Sequence, residues 1–284
     1  MTVAETWRDL LDQARHRLAS DIDARRILEQ ASGYEGAEWV RVLDEPVPPR
    51  AAAHFEAMVV RREAGEPLQY VVGRWGFRSL DLMLDSRVLI PRPETEQVVE
   101  AAAEEIRRHS ASLVADLGTG SGAVALALAA EVPGIQVWAT DTSEAALAVA
   151  RANLAGLGGL AATKVRLAHG SWFSALPAEL RGRLSVVVSN PPYVAEAEVA
   201  DLPAEVAAWE PREALVAGPS GLEAIEAVLA EAPRWLGVPG AVVIETAPHH
   251  QGAATSMARD AGFTEVEVHP DLGGLPRILI GRLL

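Results

Sequence analysis

Apolar positions near the start of the chain recur at helical spacing. Trp7, Leu10, Leu11, Ala14 and Leu18 fall three or four residues apart, which puts them on one face of an amphipathic helix. A second helix follows Asp21, whose carboxylate is placed to cap it. The prolines of "DEPVPPR" interrupt the pattern, and "AAAHFEAMVVRREAG" resumes it, with Gly65 as the stop. Residues 1–74 therefore read as a small all-helical N-terminal domain. Between Arg74 and Arg92 the period shortens. Leu80, Leu82 and Leu84 alternate against Ser79, Asp81 and Asp85, the mark of a short β-hairpin, so residues 75–95 read as a linker. "PETEQVVEAAAEEIRR" then predicts a helix with proline and acids in its first turn.

After Ser112 short apolar runs alternate with helical patterns. Strands are predicted at Leu113–Leu117, Gln136–Thr140, Lys164–Ala168, Leu184–Val188, Ala241–Thr246, Glu265–His269 and Arg277–Leu283. Helices such as "AVALALAAEV" and "SEAALAVARANLAG" separate the early ones. Such alternation implies an α/β fold with a mostly parallel, doubly wound sheet. The last two strands are joined by "PDLGGLP", too short for a crossover helix, and should pair antiparallel. Ligands in these sheets bind beyond the carboxyl ends of the strands, so chemistry is expected in the loops after strands one to four of residues 96–284.

Composition narrows the chemistry. The chain has 284 residues, 49% of them apolar and 23% charged, an ordinary globular balance. It contains no cysteine, which removes disulfides, thiolate metal sites and a cysteine nucleophile. Seven histidines are scattered, and the adjacent His249 and His250 lack the spacing that places two imidazoles on one helical face, so no metal is expected. The formal charge of -14 disfavours broad nucleic-acid binding. The stretch "MTVAETWRDLLDQ" has no signal-peptide core, and no run approaches the roughly 18 uninterrupted apolar residues of a membrane span. A cytoplasmic, monomeric protein without membrane contact is expected.

Strand one runs into "DLGTGSG", residues Asp116 to Gly122. Glycines there permit a sharp turn and close approach of a ligand to a helix N-terminus, although a plain structural turn explains them equally well in isolation. Asp141 ends the next strand, where a carboxylate can accept from ribose hydroxyls. The dinucleotide fingerprint is G-x-G-x-x-G, whereas here one residue separates the last two glycines. This pattern resembles motif I of class I methyltransferases, which bind S-adenosyl-L-methionine. That resemblance implies a Rossmann-like seven-stranded sheet, with Asp116 near the methionyl end of the cofactor and Asp141 on its ribose. Gly118, Thr119, Gly120, Ser121 and Gly122 would form the cofactor loop. Trp172, in "HGSWFSAL" after strand three, would pack on the adenine; ordinary core packing serves a tryptophan as well.

Strand four ends at Asn190-Pro191-Pro192-Tyr193. Two prolines terminate a strand, which is the bland reading. On the same sheet edge as the glycine loop, they also hold Asn190 and the Pro191 carbonyl rigidly as acceptors for the N–H groups of a planar nitrogen, with Tyr193 packed against the substrate. Asn190 would touch the cofactor as well.

Together "EPLQYVVGRWGF", "LIPRPETE", "DLGTGSG", "WFSAL", "SNPPYV" and "WEPREALVAG" resemble the HemK/PrmC family of peptide-chain release-factor glutamine N5-methyltransferases, from about Glu66 onward. The resemblance implies a helical N-terminal domain for substrate recognition, a hairpin linker and a methyltransferase domain. It implies methylation of the glutamine amide in the Gly-Gly-Gln loop of class 1 release factors. Asn190, Pro191, Pro192 and Tyr193 would hold the substrate, with Arg92 beside them on the linker loop, and Glu210 and Pro211 would brace that loop. Ser171 stands where many members have an acid, and "IETAPHHQG" and "GGLPR" also depart from the usual pattern. Ribosomal-protein glutamine methylation, methylation of an exocyclic base amine, and a catalytically silent cofactor-binding protein are the alternatives.

Overall fold

Thr6 starts the first helix. Its hydroxyl accepts from the Asp9 N–H, while the Asp9 carboxylate accepts from the Thr6 N–H, closing a reciprocal cap on α1 (Trp7–Leu18). The cap of α2 (Asp21–Ser32) is Ser20, whose side chain accepts from the Asp23 N–H; Asp21 lies inside the first turn. The expected cap therefore shifts by one residue, because the extended backbone at Ser20 aims its hydroxyl at the free N–H groups. Pro49 opens α3 (Pro49–Glu63), so the prolines that break the preceding pattern also begin the next helix. A short α4 (Leu68–Val72) follows. Trp7, Leu11, Ile27, Leu28, Phe55, Met58 and Val59 form the core, with the rings of Trp7 and Phe55 edge to face at 6.4 Å.

The computed structural model describes residues 5–109 and 112–284, and the first four residues of the acidic N-terminal stretch lie outside these. The chain divides into two units, one of residues 1–75 with 203–209 and one of residues 76–202 with 210–284. Within the first, Arg62 bonds Asp23 at 2.6 Å and Glu205 at 2.6 Å.

The hairpin strands are β1 (Arg74–Phe77) and β2 (Leu80–Met83). In chain order there follow α5 (Thr95–Arg108), β3 (Leu113–Leu117), α6 (Ala123–Glu131), β4 (Gln136–Asp141), α7 (Glu144–Leu157), α8 (Gly159–Ala162), β5 (Val165–His169) and β6 (Leu184–Ser189). The remainder comprises β7 (Val194–Ala195), α9 (Ala204–Trp209), α10 (Arg212–Leu215), β8 (Val216–Gly218), α11 (Glu223–Trp235), β9 (Leu236–Glu245), α12 (Gln251–Asp260), β10 (Glu265–Pro270) and β11 (Pro276–Leu283). Pro93 precedes α5 rather than entering its first turn.

Seven strands form one sheet in the order β10-β11-β9-β6-β3-β4-β5. The five from β9 to β5 are parallel, and β11 runs antiparallel to both its neighbours, as the short connection requires. All seven coincide with predicted runs; β9 starts early, at Leu236, because an irregularity in its pairing with β6 absorbs the residues before Ala241. Strand alternation splits the side chains between two faces. Ala115, Leu117, Val187, Val242, Ile244 and Leu279 share a core with residues of α11 and α12. Asp116, Glu245 and Arg282, one residue out of step, point the other way, where α5 and α6 pack.

Candidate active site

The chain proceeds from β3 outward through β4 to β5, then returns to place β6 on the other side of β3. Loops leaving β3 and β6 diverge at this reversal, which opens a crevice at their carboxyl ends. The Ser189 hydroxyl donates to the Leu117 carbonyl at 2.6 Å and ties the two strand ends together. The amides of Gly118 and Thr119 both donate to the Thr140 carbonyl at 2.9 Å, anchoring the glycine loop to β4. Asn153 of α7 fixes the far side of that loop, donating to Ser121 O at 2.9 Å and Met83 O at 3.1 Å. Gly120 has φ 56°, and a Cβ there would meet no atom within 4 Å, so its surface faces open space. At Gly118 a Cβ would lie 3.5 Å from the Trp172 ring.

Two carboxylates flank the loop. Asp116 is buried and accepts from the Thr119 hydroxyl at 2.6 Å and the Ala125 N–H at 3.2 Å, so it also caps α6. Burial pushes its carboxyl up to about 7 despite these donors, with nearby Asp141 adding to the effect. Asp141 accepts from the Gly120 N–H at 2.8 Å and the Ser143 N–H at 2.9 Å. Its carboxyl is also raised, first by burial.

A cleft of about 730 Å³, partly open to solvent, is bordered by Gly118, Gly120, Asp141, Trp172, Asn190 and Pro192. A smaller adjoining hollow holds Asp116, Thr119, Ser121, Thr95, Pro91 and again Asn190. The predicted cofactor residues thus meet around the two hollows, except Gly122, whose role is helix entry: a Cβ there would lie 3.1 Å from Leu126. Trp172 both borders the cleft and packs against the core. Pro191 and Tyr193 border neither hollow. The Tyr193 carbonyl is hydrogen-bonded to His250 at 3.1 Å, its ring lies against the core, and burial raises its phenol to about 12. Arg92 also borders neither. Its guanidinium donates to Glu210 at 2.5 Å, and Glu210 accepts from the Ile90 N–H at 3.1 Å. Glu210 is buried and, through these two bonds, braces the linker loop.

Two residues of the site escape a reading of the sequence. The Asn190 side chain donates through Nδ2 to Thr95 Oγ1 at 3.1 Å, and Thr95 donates to Glu245 Oε2 at 2.7 Å. Thr95 and Glu245 are both buried. Their only signals are a threonine within "LIPRPETE" and an acid closing an apolar strand.

Residues 9–73 match the PrmC N-terminal domain, and residues 96–218 match the methyltransferase small domain. A release factor glutamine methyltransferase of Cereibacter sphaeroides is 40% identical over 92% of this chain and 90% of its own. The chain belongs to the release factor glutamine methyltransferase family. A second relative of that name, from Gloeobacter violaceus, is 39% identical over 98% of this chain and 96% of its own. A methyltransferase of Pyrococcus furiosus shares the fold with a TM-score of 0.52 at 17% identity, covering 80% of this chain and 96% of that one. The family's methyl donor is S-adenosylmethionine, and the residues present fit it. Gly120 leaves open space for close approach, Asp141 offers carboxylate lone pairs, and Asp116 is a buried carboxyl suited to a cationic neighbour. Among the described residues, no helix is long and apolar enough to cross a membrane.

Proposed function

We propose that the protein methylates the side-chain N5 of the glutamine in the Gly-Gly-Gln motif of class 1 release factors, as a cytoplasmic monomer that binds no nucleic acid directly. The observation that carries this reading is that Asn190, on a loop stiffened by two prolines, borders both the larger cleft and the hollow beside Asp116. When bound, S-adenosylmethionine supplies an electrophilic methyl group. Gly118, Thr119, Gly120 and Ser121 would hold it, Asp141 would accept from its ribose, Asp116 would attend its charged end and Trp172 would cover its base. An amide nitrogen is a weak nucleophile because its lone pair is delocalised. Asn190 Oδ1 and the Pro191 carbonyl accept its two N–H bonds, turn the group toward the donor and favour the pyramidal nitrogen of the transition state. Pro192 borders the cleft, Tyr193 backs the loop from the core side, and Arg92 acts indirectly, through Glu210, by holding the linker loop.

The test incubates the enzyme and labelled cofactor with separate release-factor, ribosomal-protein, DNA and RNA substrates. Label is expected on the release factor alone and should vanish when its Gly-Gly-Gln glutamine is replaced; label confined to any other substrate refutes the assignment.

Cofactor binding should also release protons. Asp116 lies near 7 in the free protein, and a cation beside it favours the carboxylate. Affinity should therefore rise with pH up to about 7 and level off above it. Calorimetry at pH 6.5 in buffers of different ionisation enthalpy reads the released proton directly; a heat independent of buffer rejects the coupling.

A further inference from the structure

We propose that Thr95 and Glu245 are positioning residues that dictate which end of the Asn190 amide faces the substrate, so that the site selects an N–H-bearing amide over a carboxylate. This deepens the reading of the substrate as a glutamine amide and rests on it. An ionised Glu245 can only accept, and Thr95 carries a single hydroxyl hydrogen, which it donates to Glu245 at 2.7 Å. Thr95 Oγ1 is then left as an acceptor, and the group that approaches it at 3.1 Å must be the Asn190 NH2. That fixes the amide and leaves Oδ1 as the end available to substrate. A glutamine side chain meets Oδ1 with an N–H; a glutamate meets it with lone pairs and is repelled.

Protonation of Glu245 undoes this arrangement. The acid can then donate to Thr95 Oγ1, freeing the Thr95 hydrogen to point at Asn190. Asn190 answers by turning its oxygen toward Thr95 and its NH2 toward the cleft, and two sets of donors oppose each other. The charge on Glu245 therefore sets the polarity of the catalytic amide. Glu245 is faced by Thr95 and Glu94 at the start of α5, by Arg92 of the linker loop, by Arg277 of β11 and by Tyr193. Arg92 and Arg277 are each engaged elsewhere, with Glu210 and Asp271. Burial outweighs the cations and pushes the Glu245 carboxyl up to about 7. The switch consequently falls near pH 7.

Three variants and two readouts test this in the full-length enzyme. Thr95→Val keeps the branched shape and removes the hydroxyl; it should lower kcat roughly tenfold to a hundredfold with little change in KM or cofactor Kd. Thr95→Ser, which restores the hydroxyl, should recover most of that loss. At saturating cofactor, which removes the effect of Asp116 on affinity, the wild-type rate should fall as pH drops through 7, and Glu245→Gln should lose that acid limb. Wild-type kcat in Thr95→Val, equal losses in the valine and serine variants, or an acid limb that persists in Glu245→Gln would each overturn the proposal. The second readout needs no substrate. In nitrogen-labelled protein the Asn190 Nδ2 resonances should titrate with Glu245 and stop doing so in Glu245→Gln. If they do while the wild type leaves release factor unmethylated, the substrate assignment fails and the positioning role stands. If they do not, the positioning role fails whatever the substrate proves to be.

Discussion

Asn190→Ala is expected to lower kcat by about a hundredfold to a thousandfold while cofactor Kd stays within a few-fold. The magnitude follows from losing one preorganised polar group at the reacting centre. The selectivity follows from the geometry. Pro191 and Pro192 hold the loop backbone, so truncating one side chain leaves the crevice shape intact. The proposed holders of the cofactor, the glycine loop and Asp141, are anchored to β4 and α7 without help from Asn190. Single-turnover kinetics with saturating cofactor, paired with calorimetric Kd, separates the two effects. A Kd that rises in proportion to the loss of rate would mean that Asn190 serves the cofactor rather than the amide.

Arg282→Met is expected to destabilise the sheet-containing unit by about 3–5 kcal/mol, the usual cost of breaking a buried ion pair. In a unit of this size that is on the order of a 10 °C fall in Tm. Arg282 is 1% exposed and grips Glu105 of α5 through two bonds of 2.9 Å, with Glu267 at 3.0 Å. Removing the guanidinium strands the Glu105 carboxylate in the interior, with His109 and Arg108 as its ion-pair neighbours among the described residues, at 3.3 and 3.6 Å. Arg282→Met combined with Glu105→Leu should regain much of the loss, because neither charge then needs a partner. Calorimetric unfolding of both variants decides the matter; a single variant within 1 kcal/mol of wild type would show the pair to be dispensable. The network also has an acid limit. Glu267 is held down to about 2, chiefly by Arg282 and then by His269, against its ordinary 4.5. Its contribution is complete above 4.5 and is lost as pH falls toward 2.

The sheet was legible because parallel strands buried on both faces are written as nearly continuous apolar runs. "LSVVVS" is such a run, and its end at Asn190 is marked by two prolines. The glycine loop and Asp141 were legible for a related reason: a topological rule places both at one edge, and a local spacing identifies the loop. What joins distant segments was not. Thr95 and Glu245 meet across 150 residues, and Glu210 reaches Arg92 across 118. No local pattern encodes such pairs, because each partner alone is an unremarkable polar residue near an element end. Arg92 shows the consequence: the resemblance sets it beside the substrate, and nothing near it in the sequence points to its pairing with buried Glu210. Strands β7 and β8, of two and three residues, are too short for alternation to register. The substrate class came from resemblance, since the loop chemistry alone fits several planar nitrogens.

The bond from the Ser189 hydroxyl to the Leu117 carbonyl carries a further consequence. It lies at the roots of the glycine loop and the Asn190 loop, so the proposed donor and acceptor sites are seated on two paired strands of one slab of sheet. Heating cannot then detune the site by degrees: thermal inactivation and loss of the sheet should trace one curve.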